Sequence, residues 1–211
     1  LQAAWEEGLI EKNPCKKIRV PRGDCREQRV LTREEQNKLE AVLRDTHALP
    51  AWLGMYTGMR LGEILQLRRQ DLDFTNSLIH VDGKMGKRVA YMDDTVKAML
   101  ERIAPQQPSE FVFSNKGNQI TQGGLRYTFA KAVAVLGLND GITDRRYKVV
   151  FHTLRHTFCS WLASKNVPLY TIGTLVGHKN TRSTQRYAKL SPDAKWEALK
   201  LIEQTATDHK S

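Results

Sequence analysis

With 211 residues, 40% hydrophobic and 27% charged, the chain is long enough to bury a sizeable core, in one domain or one domain with an appendage. Its formal charge of +10 is what scattered lysines on a soluble basic protein would give, but it favours a polyanionic partner, most simply nucleic acid. Cys15, Cys25 and Cys159 form no CxxC pair and no apolar run approaches the roughly 18 residues of a membrane span, which argues against a disulfide framework, structural zinc and a membrane helix.

The opening residues carry Leu1, Ala4, Trp5, Leu9 and Ile10 at loosely helical spacing, without a basic n-region or cleavage site of a signal peptide. Asn13-Pro14 is expected to end that helix, and KKIRVPRGDCREQR then reads as a basic, unstructured linker. Thr32-Arg33-Glu34-Glu35 spells a capping box, in which the Thr oxygen caps the turn and Glu35 reaches back. Leu39, Val42 and Leu43 mark one face of the helix that follows. Leu49 to Thr57 forms a second apolar helix and runs into TGMRLGEILQL, where Leu61, Ile64, Leu65 and Leu67 turn inward. Arg60 and Glu63 share a face of that segment. A buried arginine needs acceptors, so Glu63 is expected to hold Arg60 in position.

SLIHV and RVAYM flank Asp82-Gly83-Lys84-Met85-Gly86, a hairpin with a glycine-bearing turn. Lys84 and Lys87 sit at its tip, where lysines commonly serve solubility. Val96, Met99, Leu100 and Ile103 mark a helix ended by Pro105, and FVFS is a short strand. Thr121 begins a helix through Leu125, Phe129, Val133 and Leu136, stopped by Gly137. Leu154, Phe158, Trp161 and Leu162 then form one helical stripe, with Arg155 and Cys159 off it, which frees Arg155 to project towards a site. Pro168 opens the next helix, with His178 just past Gly177. Tyr187 falls in a short segment before Pro192, where a last helix carrying Trp196, Leu199 and Ile202 begins. The sum is an α+β fold, mainly helical with a small antiparallel β-sheet.

His152, Arg155, His178 and Tyr187 crowd into one stretch, with Arg60 upstream. Arginine offers a planar fork that matches phosphate oxygens, tyrosine can act as a covalent nucleophile, and histidine can carry the proton near neutral pH. HTLRH, LVGH and the tyrosine nine residues past that histidine resemble the signature of the tyrosine recombinases, the phage-integrase family. Arg60 in TGMRLGEIL resembles the family's first arginine, and Lys84, 24 residues after Arg60, resembles its lysine on a β-hairpin. The likeness runs from about residue 31 to about residue 190.

The resemblance implies a catalytic domain over 30–211 with a C-terminal helical tail, its small sheet beside the active site. It makes 1–29 the remnant of an N-terminal core-binding clamp plus the basic linker. It implies a site-specific recombinase or integrase of a bacterial phage or mobile element, which cleaves and rejoins DNA through a 3′-phosphotyrosyl intermediate. Tyr187 would attack, Arg60 and Arg155 would compensate charge on the phosphate, and His152 would accept the phenolic proton. His178 would donate to a phosphate oxygen and Lys84 would protonate the leaving 5′-oxygen, with Glu63 supporting Arg60. No cofactor and no metal are expected. The implied partners are double-stranded DNA attachment sites, other protomers in a tetrameric synaptic complex, and accessory DNA-bending or directionality proteins, in a bacterial cytoplasm close to the nucleoid and away from any membrane. His156 is read as a packed or capping residue outside the site, and Tyr56 as a neighbour of Arg60 whose role stays open. A type IB topoisomerase or resolving enzyme would use the same tyrosine chemistry without exchange, and a DNA-binding module would keep the fold without cutting.

Overall fold

The computed structural model describes residues 1–15, 29–43, 48–83, 86–115, 118–178 and 180–188. Most of the expected linker, Lys84 at the hairpin tip and the expected last helix lie outside the described residues. The first helix, α1 (Gln2–Glu6), stops well before Asn13-Pro14, as the chain turns with the Gly8 amide donating to the Trp5 carbonyl. Its residues bury nothing, and so short a helix has little besides packing to extend it.

The body begins at Leu31, whose amide donates to Thr157 Oγ1 at 3.0 Å. Thr32 caps α2 (Arg33–Val42) through the expected box, its hydroxyl accepting from the Glu35 amide and Glu35 accepting from the Thr32 amide. Leu39 and Leu43 are buried, whereas Val42 faces out. Helices α3 (Ala48–Thr57) and α4 (Leu61–Gln66) follow. Strands β1 (Leu72–Asp73), β2 (Leu78–Gly83) and β3 (Gly86–Tyr91) make one antiparallel sheet in that order. Ile79 and Val81 face the core while His80 and Asp82 face out, the period-two alternation of a half-buried strand. Next comes α5 (Asp94–Ile103). FVFS contributes only a bridge from Phe111 to Arg68 and the first residue of β4 (Ser114–Asn115), which pairs with β5 (Asn118–Gln119). Helices α6 (Gln122–Val135), α7 (Phe151–Ser164), α8 (Leu169–Val176) and α9 (Arg182–Gln185) complete the described part.

The fold is thus mainly helical with a small antiparallel sheet, and that sheet lies against α4 and α8. The expected stripe on α7 needs correction. Leu154 is buried, but Phe158, Trp161 and Leu162 are only partly so, and Arg155 and Cys159 are deeply buried. The reason is that α7 is central: it packs on α3 and also on α8, so more than one face is covered. A large core runs from Leu31 to Leu154, and a small cluster of Cys159, Ala163, Ile172, Val176 and Tyr187 lies between α7, α8 and the α9 segment.

Candidate active site

The site is built on the C-terminal end of α8. Gly177 takes the left-handed conformation there, at φ 67°, and ends the helix. The last carbonyls of a helix have no partner within it and carry its partial negative charge. Here three of them accept from guanidinium groups: Leu175 from Arg88 at 2.9 Å, Val176 from Arg155 at 2.6 Å, and Gly177 from Arg60 at 3.2 Å. A Cβ at Gly177 would lie 2.5 Å from Arg88 Cδ, so only glycine fits both the turn and the contact.

Arg155 also donates to the Gly58 carbonyl at 2.6 Å. Gly58 is left-handed too, at φ 63°, and a Cβ on it would meet Phe158 Cδ1 at 2.6 Å. Held between two carbonyls and 2% exposed, the Arg155 guanidinium is pushed down to about 10 by burial, with the Arg60 charge adding to the effect. It stays charged at neutral pH. Arg60 caps the start of α4 and is the more exposed of the two, with Nη1 2.8 Å from Glu63 Oε1. Glu63 Oε2 accepts from the Arg60 amide at 2.9 Å and from Arg88 at 2.8 Å. Burial alone would raise the Glu63 carboxyl; the Arg60 amide and the Arg88 charge outweigh it and hold the group below its ordinary range.

His152, in the first turn of α7, stands on the rim of a cleft of about 680 Å³ that Arg60, Arg126, Arg145, Phe151 and Arg155 also line. Partial desolvation, then Arg155 and Arg60, push it down to about 4. His178 follows Gly177, with Nδ1 2.9 Å from Thr184 Oγ1, and is likewise pushed down to about 4 by desolvation and then by the same two arginines. Tyr187 is set apart from this cleft. It is 3% exposed, packed in the small cluster behind α7, and its hydroxyl lies 2.7 Å from His156 Nδ1. Burial, with Cys159 next, raises the phenol well above its ordinary value. Burial, followed by His152, pushes His156 down to about 3. A neutral His156 therefore accepts from the phenol, and its ring is T-shaped to His152 with centroids 4.5 Å apart.

The structure therefore brings Arg60, His152 and Arg155 to one cleft, with Glu63 and His178 against the same helix end. It leaves Tyr187 bonded to His156 rather than to His152. Tyr56 belongs elsewhere, its hydroxyl shared between Gln36 and Glu40. Sequence reasoning passed over Arg88 and Arg186, and it read His156 as a packed or capping residue outside the site, without the tyrosine that is its partner. Arg88 sits two residues before buried Ala90 on β3 and so shares its face, the signal that could have marked it. Arg186 directly precedes Tyr187, and its charge adds to the depression of all three histidines. Among the described residues no three His, Cys, Asp or Glu side chains are grouped to hold a metal ion.

The family model described as the phage integrase family matches residues 29–193, most of the chain. The chain belongs to the phage integrase family. It is 29% identical to tyrosine recombinase XerC of Oceanobacillus iheyensis, across 97% of this chain and 71% of that protein. A tyrosine recombinase of Thermosipho africanus is 26% identical, across 92% of this chain and 69% of its own length. The chain thus spans about two thirds of the length of such relatives. In fold it is similar to the Tn1549 transposon integrase solved with transposon right end DNA, with a TM-score of 0.70 at 22% identity over 97% of this chain and 76% of that one. The catalytic domain of bacteriophage HP1 integrase gives 0.63 at 20% identity, over 82% of this chain and 95% of that one. The domain is accordingly a tyrosine recombinase catalytic domain, of the class that cleaves and rejoins DNA in site-specific recombination. No helix among its described residues is long and apolar enough to cross a membrane.

Proposed function

We propose that this tyrosine recombinase domain serves a bacterial phage or mobile element, acting in the cytoplasm on double-stranded attachment sites within a tetrameric complex assisted by accessory DNA-bending or directionality proteins. The observation that carries the reading is the pair of arginines fixed on one helix end beside an open cleft, with a tyrosine on the next segment. In the reaction the Tyr187 oxygen forms a bond to the scissile phosphorus and the bond from phosphorus to the 5′-oxygen breaks. Arg60 and Arg155 offset the negative charge gathered on the non-bridging oxygens, and His178 donates to one of them. The phenolic proton leaves to a neutral imidazole, His152 at the cleft, and Lys84 supplies the proton that the departing 5′-oxygen needs. Glu63 keeps Arg60 aligned. A 5′-hydroxyl from the partner DNA then attacks the phosphotyrosine and restores Tyr187. The ester is exchanged rather than hydrolysed, so the cycle calls for no ATP.

Because Tyr187 is docked on His156, attack requires the phenol to leave that pocket for the cleft. The test is covalent capture. This chain would be incubated with a pool of randomised, nicked duplexes in EDTA, and denaturing gels would be read for a protein–DNA adduct beside Tyr187→Phe. An adduct that enriches one sequence and vanishes in the variant is expected. Binding of the pool with no adduct would transfer the reading to a DNA-binding module.

A further inference from the structure

We propose that Arg88, on β3, is a positioning residue for strand cleavage, holding Glu63 and the end of α8 so that Arg60 keeps its free face towards the phosphate. The proposal rests on the assignment of Tyr187 and Arg60 to cleavage made above.

Arg88 is the third guanidinium at the α8 end, and it reaches two things at once. One nitrogen donates to the Leu175 carbonyl at 2.9 Å, and the other pairs with Glu63 Oε2 at 2.8 Å. The ion pair is mostly buried, the two side chains being 11% and 6% exposed, so salt and water screen it weakly. The remaining nitrogen, Nε, is buried and without a hydrogen-bond partner among the described residues. It lies against Gly177, where a Cβ would come within 2.9 Å of it. A dry, unpaired donor is costly, so the other two bonds hold this side chain in place against that cost.

The consequence falls on Arg60. A carboxylate has two oxygens and can take an arginine in a bidentate fork. Here Glu63 gives Arg60's side chain only Oε1, since Arg88 and the Arg60 amide occupy Oε2. Without Arg88, Glu63 is free to claim both ends of the Arg60 fork, drawing its donors away from the cleft and neutralising more of its charge. Arg88 also ties strand β3 of the hairpin, whose tip carries Lys84, to the helix end that precedes His178. One residue thus couples three parts of the proposed machinery without touching the phosphate.

Arg88→Met keeps the stem that packs on Gly177 and removes both bonds, and Arg88→Lys restores a charge for Glu63 without the second arm. The measurement is the single-turnover rate of adduct formation at saturating nicked duplex, of the sequence enriched by covalent capture, alongside DNA affinity and the thermal unfolding midpoint. Loss of about ten- to a hundredfold in rate is expected for Arg88→Met, the scale seen when a group that orients a reacting residue is removed. DNA affinity should stay within about threefold, because many phosphate contacts share it. Arg88→Lys should recover part of the rate. In an Arg60→Lys background, which lacks the fork, the same Met substitution should cost much less, a non-additivity that general loosening of the fold would not give. Wild-type rate in Arg88→Met, or an equal loss in both backgrounds, would overturn the inference alone. A parent chain that forms no adduct would overturn the Tyr187 reading and this inference with it.

Discussion

The arginine end of α8 and the tyrosine pocket lie on neighbouring elements, yet they are held in opposite ways. Arg60, Arg88 and Arg155 each donate to a backbone carbonyl, and two of them share Glu63 as well. Tyr187 follows a helix of only four residues and is fixed by burial and by side-chain contacts with His156 and Cys159. The half proposed to stabilise charge is set before any DNA arrives, which is where electrostatic catalysis gains most. The proposed nucleophile is stored apart and has to be delivered.

The sharpest way to break this contrast is at the fixed half. Arg155→Lys loses the fork between the Gly58 and Val176 carbonyls, and adduct formation should fall by about 10²–10³-fold, as for a lost oxyanion donor. Rapid-quench kinetics on the enriched duplex would show it; a loss under threefold would mean that the fork is dispensable. Gly177→Ala comes next. It forces a side chain into a left-handed turn and against Arg88, at a cost of about 1–3 kcal/mol, read from urea unfolding.

At the stored half, His156→Ala leaves the buried phenol without its acceptor, a loss of about 1–3 kcal/mol. Tyr187 should then nitrate faster with tetranitromethane, while the arginine end keeps its geometry; unchanged nitration would show that the pocket does not depend on His156. Acid should act on both halves. His156, lowered to about 3, and His152 and His178, lowered to about 4, bind fewer protons folded than unfolded near pH 5. Their neutral forms support the fold above the free value of about 6.5, and that support is lost as pH falls from there towards 4. The unfolding midpoint should drop between pH 7 and pH 5, and by less in His156→Ala. The smallest effect is the control: Tyr170→Ser, at a site 83% exposed, should change stability by no more than about 0.5 kcal/mol.

Much of this was legible in the residues, and what was not has a physical cause. Local rules found the Thr32 capping box, the Thr121 start of a helix and the hairpin pattern, because each depends on near neighbours. The start of α5 went unremarked, although Asp93 accepts from the Val96 amide in the ordinary way. Residue type and spacing drew attention to Arg60, Glu63, His152, Arg155, His178 and Tyr187. They could not show that Arg155 would be buried, since that follows from α7 packing on two sides. Arg88 escaped because its meaning lies in contacts with Leu175 and Glu63, distant in sequence. His156 was read as a packed residue, and its bond to the tyrosine escaped because no local pattern sets where that tyrosine rests.

The three carbonyls at the end of α8 have one more consequence. Like charges gathered for a substrate repel one another whenever the substrate is gone, and most of the time it is gone. Mobile counterions could quiet that repulsion, but each would have to be expelled when DNA docks. Leu175, Val176 and Gly177 act instead as a built-in hydration shell, fixed to the backbone and facing the guanidinium groups from behind. The empty protein can wait with these charges already solvated, and in the proposed reaction the arriving phosphate meets the open side of Arg60 with that much less to displace.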